Sequence, residues 1–164
     1  MTERYLVAAG RIRSELKELE QVAYRAKRAM ELASIRPDEQ DIFLDSVALN
    51  LHDFYTGVER IFRNIASLVD RSLPEGADWH RELLKQMQVE LPKIRPAVLS
   101  ASTGLALDEY LRFRHVVRNI YAFQFDKERL GKLVAELSPC FEGLSREFLA
   151  FVDFLEKIAS TANN

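Results

Sequence analysis

Residues 112 to 121, RFRHVVRNIY, put Arg112, Arg114, His115, Arg118, Asn119 and Tyr121 within one short stretch. These are residue types that handle phosphate esters. Guanidinium forks match phosphate oxygens, an imidazole can move protons, and a phenol and an amide can position a ribose or a base. On a helix advancing about 100° per residue, Phe113, Val116, Val117 and Ile120 share one arc of roughly 100°, suited to a core. Arg114, Arg118 and Tyr121 follow i, i+4, i+7 spacing on another face, with His115 and Asn119 as an i, i+4 pair beside them. The plain alternative is a solvated helix face. Against it stands the repulsion between Arg114 and Arg118, about a few tenths of a kcal/mol, with only Asp108 and Glu109 near in sequence. A helix that tolerates such crowding often holds an anion.

The elements that must position these residues are helices. The chain has 164 residues, 48% hydrophobic and 29% charged, which suits one folded domain with a real core. Glycine and proline are scarce, and no strand-like alternation is sustained. A first long helix is expected from about Thr2 to Leu32, its apolar stripe carrying Leu6, Ile12, Leu16, Leu19, Ala23 and Ala26. Pro37 ends it. Asp38, Glu39 and Asp41 then head a second long helix that stops before LPEG.

A short helix follows through ADWHRELLKQMQ, with Asp78 as N-cap. LPKIRPAVLSASTG, residues 91–104, reads as a loop. Helix resumes near Leu105 and runs to about AFQFD, and Asp126 caps a last long helix reaching roughly Ala159, with a kink or break expected at Pro139 and Gly143. Four long helices and one short one make an all-α, antiparallel four-helix bundle with an extra short helix, a single domain over residues 1–160 with a frayed tail at 161–164.

The formal net charge of −2 gives no global field to attract nucleic acid, so any RNA contact must use a local basic cluster. Cys140 is the single cysteine, which excludes an internal disulfide and a cysteine-rich metal site. No glycine-rich phosphate loop is present, and no cofactor or metal is expected. With no apolar block of membrane length, a soluble cytoplasmic protein is expected. His80, beside the single Trp79, reads first as a capping or surface residue and only second as catalytic. His52 reads as a helix-surface or hydrogen-bonded residue, because further metal ligands at suitable spacing are missing. Phe141, Phe148, Phe151 and Phe154 recur at helical spacing, first as core and second as a dimer face.

Three segments in order, FYTGVERIFRNIA (Phe54 to Ala66), DWHRELLKQM (Asp78 to Met87) and YLRFRHVVRNIYAFQFD (Tyr110 to Asp126), resemble the HEPN domains, and among them the HepT-like ribonuclease toxins. The hallmark of that group is an arginine, a polar residue after it, a histidine four to six residues beyond the arginine, and a tyrosine two residues after the histidine. Here Arg114 is the arginine, His115 the polar residue and Tyr121 the tyrosine. Asn119 stands where the histidine belongs. The resemblance implies a metal-independent endoribonuclease, homodimeric, with Arg112, Arg114 and Arg118 on RNA phosphates. It also implies a minimal nucleotidyltransferase antitoxin that transfers AMP onto Tyr121. Asparagine cannot shuttle protons, so either His115, one turn earlier, substitutes, or the domain is a non-catalytic module binding RNA, nucleotide or partner. An unrelated helical adaptor is the remaining alternative.

Overall fold

The first helix, α1 (Thr2–Ile35), buries a stripe dominated by alanine: Ala8, Ala9, Ala23, Ala26, Ala29 and Ala33 alternate with Ile12, Leu16 and Leu19. Small side chains let neighbouring backbones come close, and α1 lies against both α2 (Gln40–Ile65) and α5 (Lys127–Thr161) along much of its length. A computed structural model describes residues 2–119 and 125–162. Leu6 is the exception in the expected stripe, being 49% exposed.

The packing of α1 on α2 leaves no room for a side chain at Gly57. A Cβ built there would lie 2.6 Å from Leu19 Cδ2 and 3.1 Å from Glu15 Oε1. Gly57→Val is therefore expected to destabilise the fold by about 1–3 kcal/mol, the usual cost of overpacking. A denaturant midpoint unchanged from wild type would count against this packing.

Helix α1 ends at Ile35, and Pro37 opens a 3-10 turn over Pro37–Glu39 that carries two of the three acidic residues expected to head α2. Helix α2 is buried on one face by Leu51, Phe54, Tyr55, Val58, Phe62 and Ile65. Its end widens into a π-turn, Ala66–Asp70, closed by Arg71 at φ 57°. The short α3 (Trp79–Met87) packs on α2 and on α4 (Ala101–Val117), and α4 also packs on α5. Asp78 occupies the N-cap position of α3 but makes no side-chain capping bond; its backbone carbonyl accepts from Glu82 N–H at 3.0 Å.

Two boundaries differ from the sequence expectation. Helix α4 begins at Ala101 rather than near Leu105, because Ser100 accepts from Thr103 N–H at 3.2 Å and so starts the helix inside the expected loop. At its other end α4 stops at Val117, and the part expected to reach AFQFD falls partly on residues outside those described. Asp126 caps α5 as expected, accepting from Glu128 N–H at 3.0 Å. Pro139 and Gly143 do not break α5, which runs through both.

Arg95 holds the connections together. A tight turn, with Leu91 N–H donating to Arg95 O at 3.0 Å, directs its side chain inward. The guanidinium donates to Asp70 at 2.6 and 2.8 Å, and to the carbonyls of Val89, Pro96 and Gln86 at 3.0 Å each. All five of its N–H donors are thereby used. Both side chains of the pair are fully buried, and Gln86 adds a bond to Asp70 at 2.8 Å. One ion pair thus ties the end of α2 to the end of α3 and to the loop before α4.

Phe148 and Phe151 lie in the core, with Phe141 and Phe154 packed against it, as first expected. Burial pushes the Cys140 thiol up to about 12, so it remains protonated and behaves as a small core hydrophobe. Among the described residues, no helix is long and apolar enough to cross a membrane.

Candidate functional site

The end of α4 is shaped by its own polar residues. The last carbonyls of a helix have no partner within it. Here Arg118 N–H donates to Arg114 O at 3.3 Å, Asn119 N–H to Val116 O at 3.0 Å, and the Asn119 side-chain amide to His115 O at 2.7 Å. Asn119 therefore spends its amide donor closing the helix it follows. Phe113 is buried and Val116 and Val117 are half-buried, as the apolar arc predicts; Ile120 lies outside the described residues. Tyr121 also lies outside them.

Against this end of α4 stands α3, and between them opens a cleft of about 470 Å³. Arg112, Arg114, His115 and Arg118 line it from α4 and its end, and His80 and Arg81 from α3. Asp108 braces the two walls, accepting from Arg81 at 2.9 Å and pairing with Arg112 at 2.8 Å. That pairing leaves Arg112 partly neutralised. His115 and Arg118 are exposed and Arg114 is half-buried.

Arg114 is held differently. Its Nε donates to the Thr56 hydroxyl at 3.3 Å, and Thr56 in turn donates to His52 O at 3.0 Å. Its Nη1 lies 3.4 Å from Nδ1 of His80. Among the described residues no carboxylate comes within salt-bridge distance of Arg114. Glu59 approaches the guanidinium only by way of Nδ1 of His80, so no direct salt bridge occupies it, and a bound anion would complete its charge.

The residue that sequence reasoning placed elsewhere is His80. Its Nδ1 lies 2.6 Å from Oε2 of Glu59, which projects from the buried face of α2 and is only 5% exposed. A carboxylate only accepts, so Nδ1 carries the hydrogen and donates it. The 3.4 Å approach of Arg114 is then a contact and not a second hydrogen bond. Trp79 stacks on the His80 ring, centroids 3.5 Å apart, and Arg63 sits over Trp79 at 5.2 Å. His115 is thus not the one imidazole near Arg114, and His80 is neither a cap nor a loose surface residue. The sign in the sequence was Glu59 itself: it follows Val58 and precedes Ile61 and Phe62 on a face that otherwise goes inward, and a buried carboxylate demands a partner.

Tyr55, one turn before Glu59, lies fully buried behind the cleft, and its hydroxyl finds no hydrogen-bond partner among the described residues. Burial, reinforced by the charges of Glu59 and Asp108, raises its phenol well above the usual range, so it stays neutral. His52 lies 3.5 Å from Asp53 and remains a helix-surface residue away from any ligand cluster. Among the described residues no group of three His, Cys, Asp or Glu side chains gathers as a metal site would require. What the cleft offers is cations for a phosphate and an oriented imidazole.

A family model described as HepT-like protein matches residues 46–155, more than half of the chain, including all of α3 and α4 and most of α2 and α5. No curated protein and no solved structure matches the chain.

Proposed function

Because the chain belongs to the HepT-like family, we propose that it is the toxin component of a toxin–antitoxin pair, a cytoplasmic endoribonuclease that acts without a metal and grips RNA in the cleft between α3 and α4. The observation that carries this reading is Arg114, half-buried, held by Thr56 and without a salt bridge among the described residues, in a cleft that Arg112 and Arg118 also line. In a two-fold homodimer with the two clefts side by side, the paired clusters would form a basic groove on a chain of net charge −2. A minimal nucleotidyltransferase that added AMP at Tyr121 would put an anionic group three residues past Arg118, where it would compete with RNA phosphate for the same cations.

A second reading has its own observation. Asn119 replaces the proton-shuttling histidine of the family pattern and gives its amide to a helix carbonyl. A non-catalytic domain that binds RNA, nucleotide or partner would look the same at that position.

Binding of a fluorescent single-stranded RNA, followed by anisotropy across a salt series, tests the phosphate site common to both. Arg118→Ala is expected to weaken binding and to reduce the slope of log K against log salt by about 0.7, the loss of one phosphate contact on a single strand. An Arg118→Ala protein with wild-type affinity and slope would place the RNA, if any is bound, on another face.

A further inference from the structure

We infer that His80, oriented by Glu59, is the residue that takes the proton from the attacking 2′-hydroxyl of RNA, in place of the motif position that Asn119 occupies. This rests on the RNA-cleaving reading above and supplies what that reading lacks. The observations are geometric. Nδ1 of His80 donates to Glu59 at 2.6 Å, which fixes both the ring plane and the tautomer and leaves Nε2 of the neutral ring as a proton acceptor. The His80 side chain is 23% exposed and lines the cleft while Glu59 is almost wholly covered, so Nδ1 is turned to the buried carboxylate and the exposed part of the side chain to the cleft. Trp79 stacked on one face restricts its rotation. Arg114, which has no salt bridge among the described residues, reaches the same ring, its Nη1 3.4 Å from Nδ1. A base, the group that orients it and a cation for the phosphate are therefore brought together at one ring by α3, α2 and α4.

The chemistry balances without another reactant. Nε2 of His80 accepts the 2′-hydroxyl proton as the 2′ oxygen forms a bond to the adjacent phosphorus. The bond from phosphorus to the 5′ oxygen breaks, and that oxygen takes a proton from water. Arg114 offsets the charge that builds on the non-bridging oxygens. The products are a 2′,3′-cyclic phosphate and a 5′-hydroxyl, and His80 returns its proton to solvent. Glu59 is a positioning residue: its charge stabilises the imidazolium that forms.

A purely structural tether between α2 and α3 would use the same hydrogen bond, so the variant must keep the tether and remove the base. His80→Asn does this, because the asparagine amide can donate to Glu59 from near the place of Nδ1 while nothing replaces Nε2. The probe is a mixed-sequence pool of fluorescent single-stranded RNA, with cleavage, binding and thermal melting measured in parallel. His80→Asn is expected to lose about 10²–10⁴-fold in cleavage rate with RNA binding and melting near wild type. In His80→Ala, added imidazole should restore part of the rate. Glu59→Gln should lower kcat, leave KM unchanged and alter the pH profile. Cleavage by His80→Asn at the wild-type rate, or a loss of cleavage only in His115→Ala, would overturn the inference and leave the ribonuclease reading standing. A wild-type protein that binds the pool and cleaves none of it would overturn the ribonuclease reading, and this inference with it.

Discussion

Replacing Arg114 by alanine is expected to reduce RNA cleavage by about 10²–10³-fold, the usual loss when one preorganised donor to a developing oxyanion is removed. The effect should fall on kcat/KM, because a guanidinium that meets the phosphate in both ground and transition states contributes to each. Folding should change little. Arg114 makes one bond to Thr56 and a contact with His80, and it stands outside the apolar arc that Phe113 anchors. Losing one partly exposed hydrogen bond costs about 1 kcal/mol. Arg114→Lys should recover only part of the activity, since a single ammonium cannot reach Thr56 and a phosphate together as a fork can. Rates from single-turnover cleavage alongside thermal melts check this, and equal losses in both would mark Arg114 as a structural residue.

The second large effect is on stability. Arg95→Met is expected to lower the unfolding free energy by about 3–5 kcal/mol, the range found when one partner of a buried ion pair is removed. In a chain of this length that corresponds to a fall in Tm on the order of 10 °C. Asp70 would be left fully buried and charged, with only Gln86 donating to it, and the carbonyls of Val89, Pro96 and Gln86 would lose their donor. Adding Asp70→Leu should recover part of the loss by removing the stranded charge, but not the part owed to the three carbonyls. If the double variant were no more stable than Arg95→Met, the stranded charge would not be the dominant cost. The pair also bears on the cleft. It fixes the far end of α3, so loosening it should degrade the placement of His80 against Glu59.

How far such features can be read from the sequence depends on how far apart their residues lie along the chain. The apolar stripe of α1, Leu6 excepted, and the N-cap Asp126 depend on neighbours within a few positions, and they fall where the spacing puts them. Arg112 and Arg114 share one cleft because a single helix carries them, and Arg118 joins them from its C-cap. The features that the spacing does not reveal are those a distant partner decides. Glu59 and His80 are 21 residues apart, and Asp70 and Arg95 are 25 apart. Both pairs are made by the crossing of α2 with α3 and the loop after it, which no local pattern encodes. The start of α4 was misplaced for a smaller reason: the proline-rich, small-residue stretch before it looks like loop throughout, yet Ser100 is a good cap and Ala101 a good helix former. Asn119 is legible as a departure from the family pattern, but that it closes the helix end is visible only once the end is located at Val117.

The chemistry proposed for the Arg114 cleft is attack of the ribose 2′-hydroxyl on the adjacent RNA phosphate. The most direct measurement is end-group analysis of RNA incubated with the pure wild-type protein in excess chelator, beside Arg114→Ala at the same concentration. Fragments ending in 2′,3′-cyclic phosphate with 5′-hydroxyl partners are expected, formed equally well with and without chelator and nearly absent in the variant. Fragments carrying 5′-phosphate, cleavage that chelator abolishes, or the same fragments at the same rate from Arg114→Ala would contradict it.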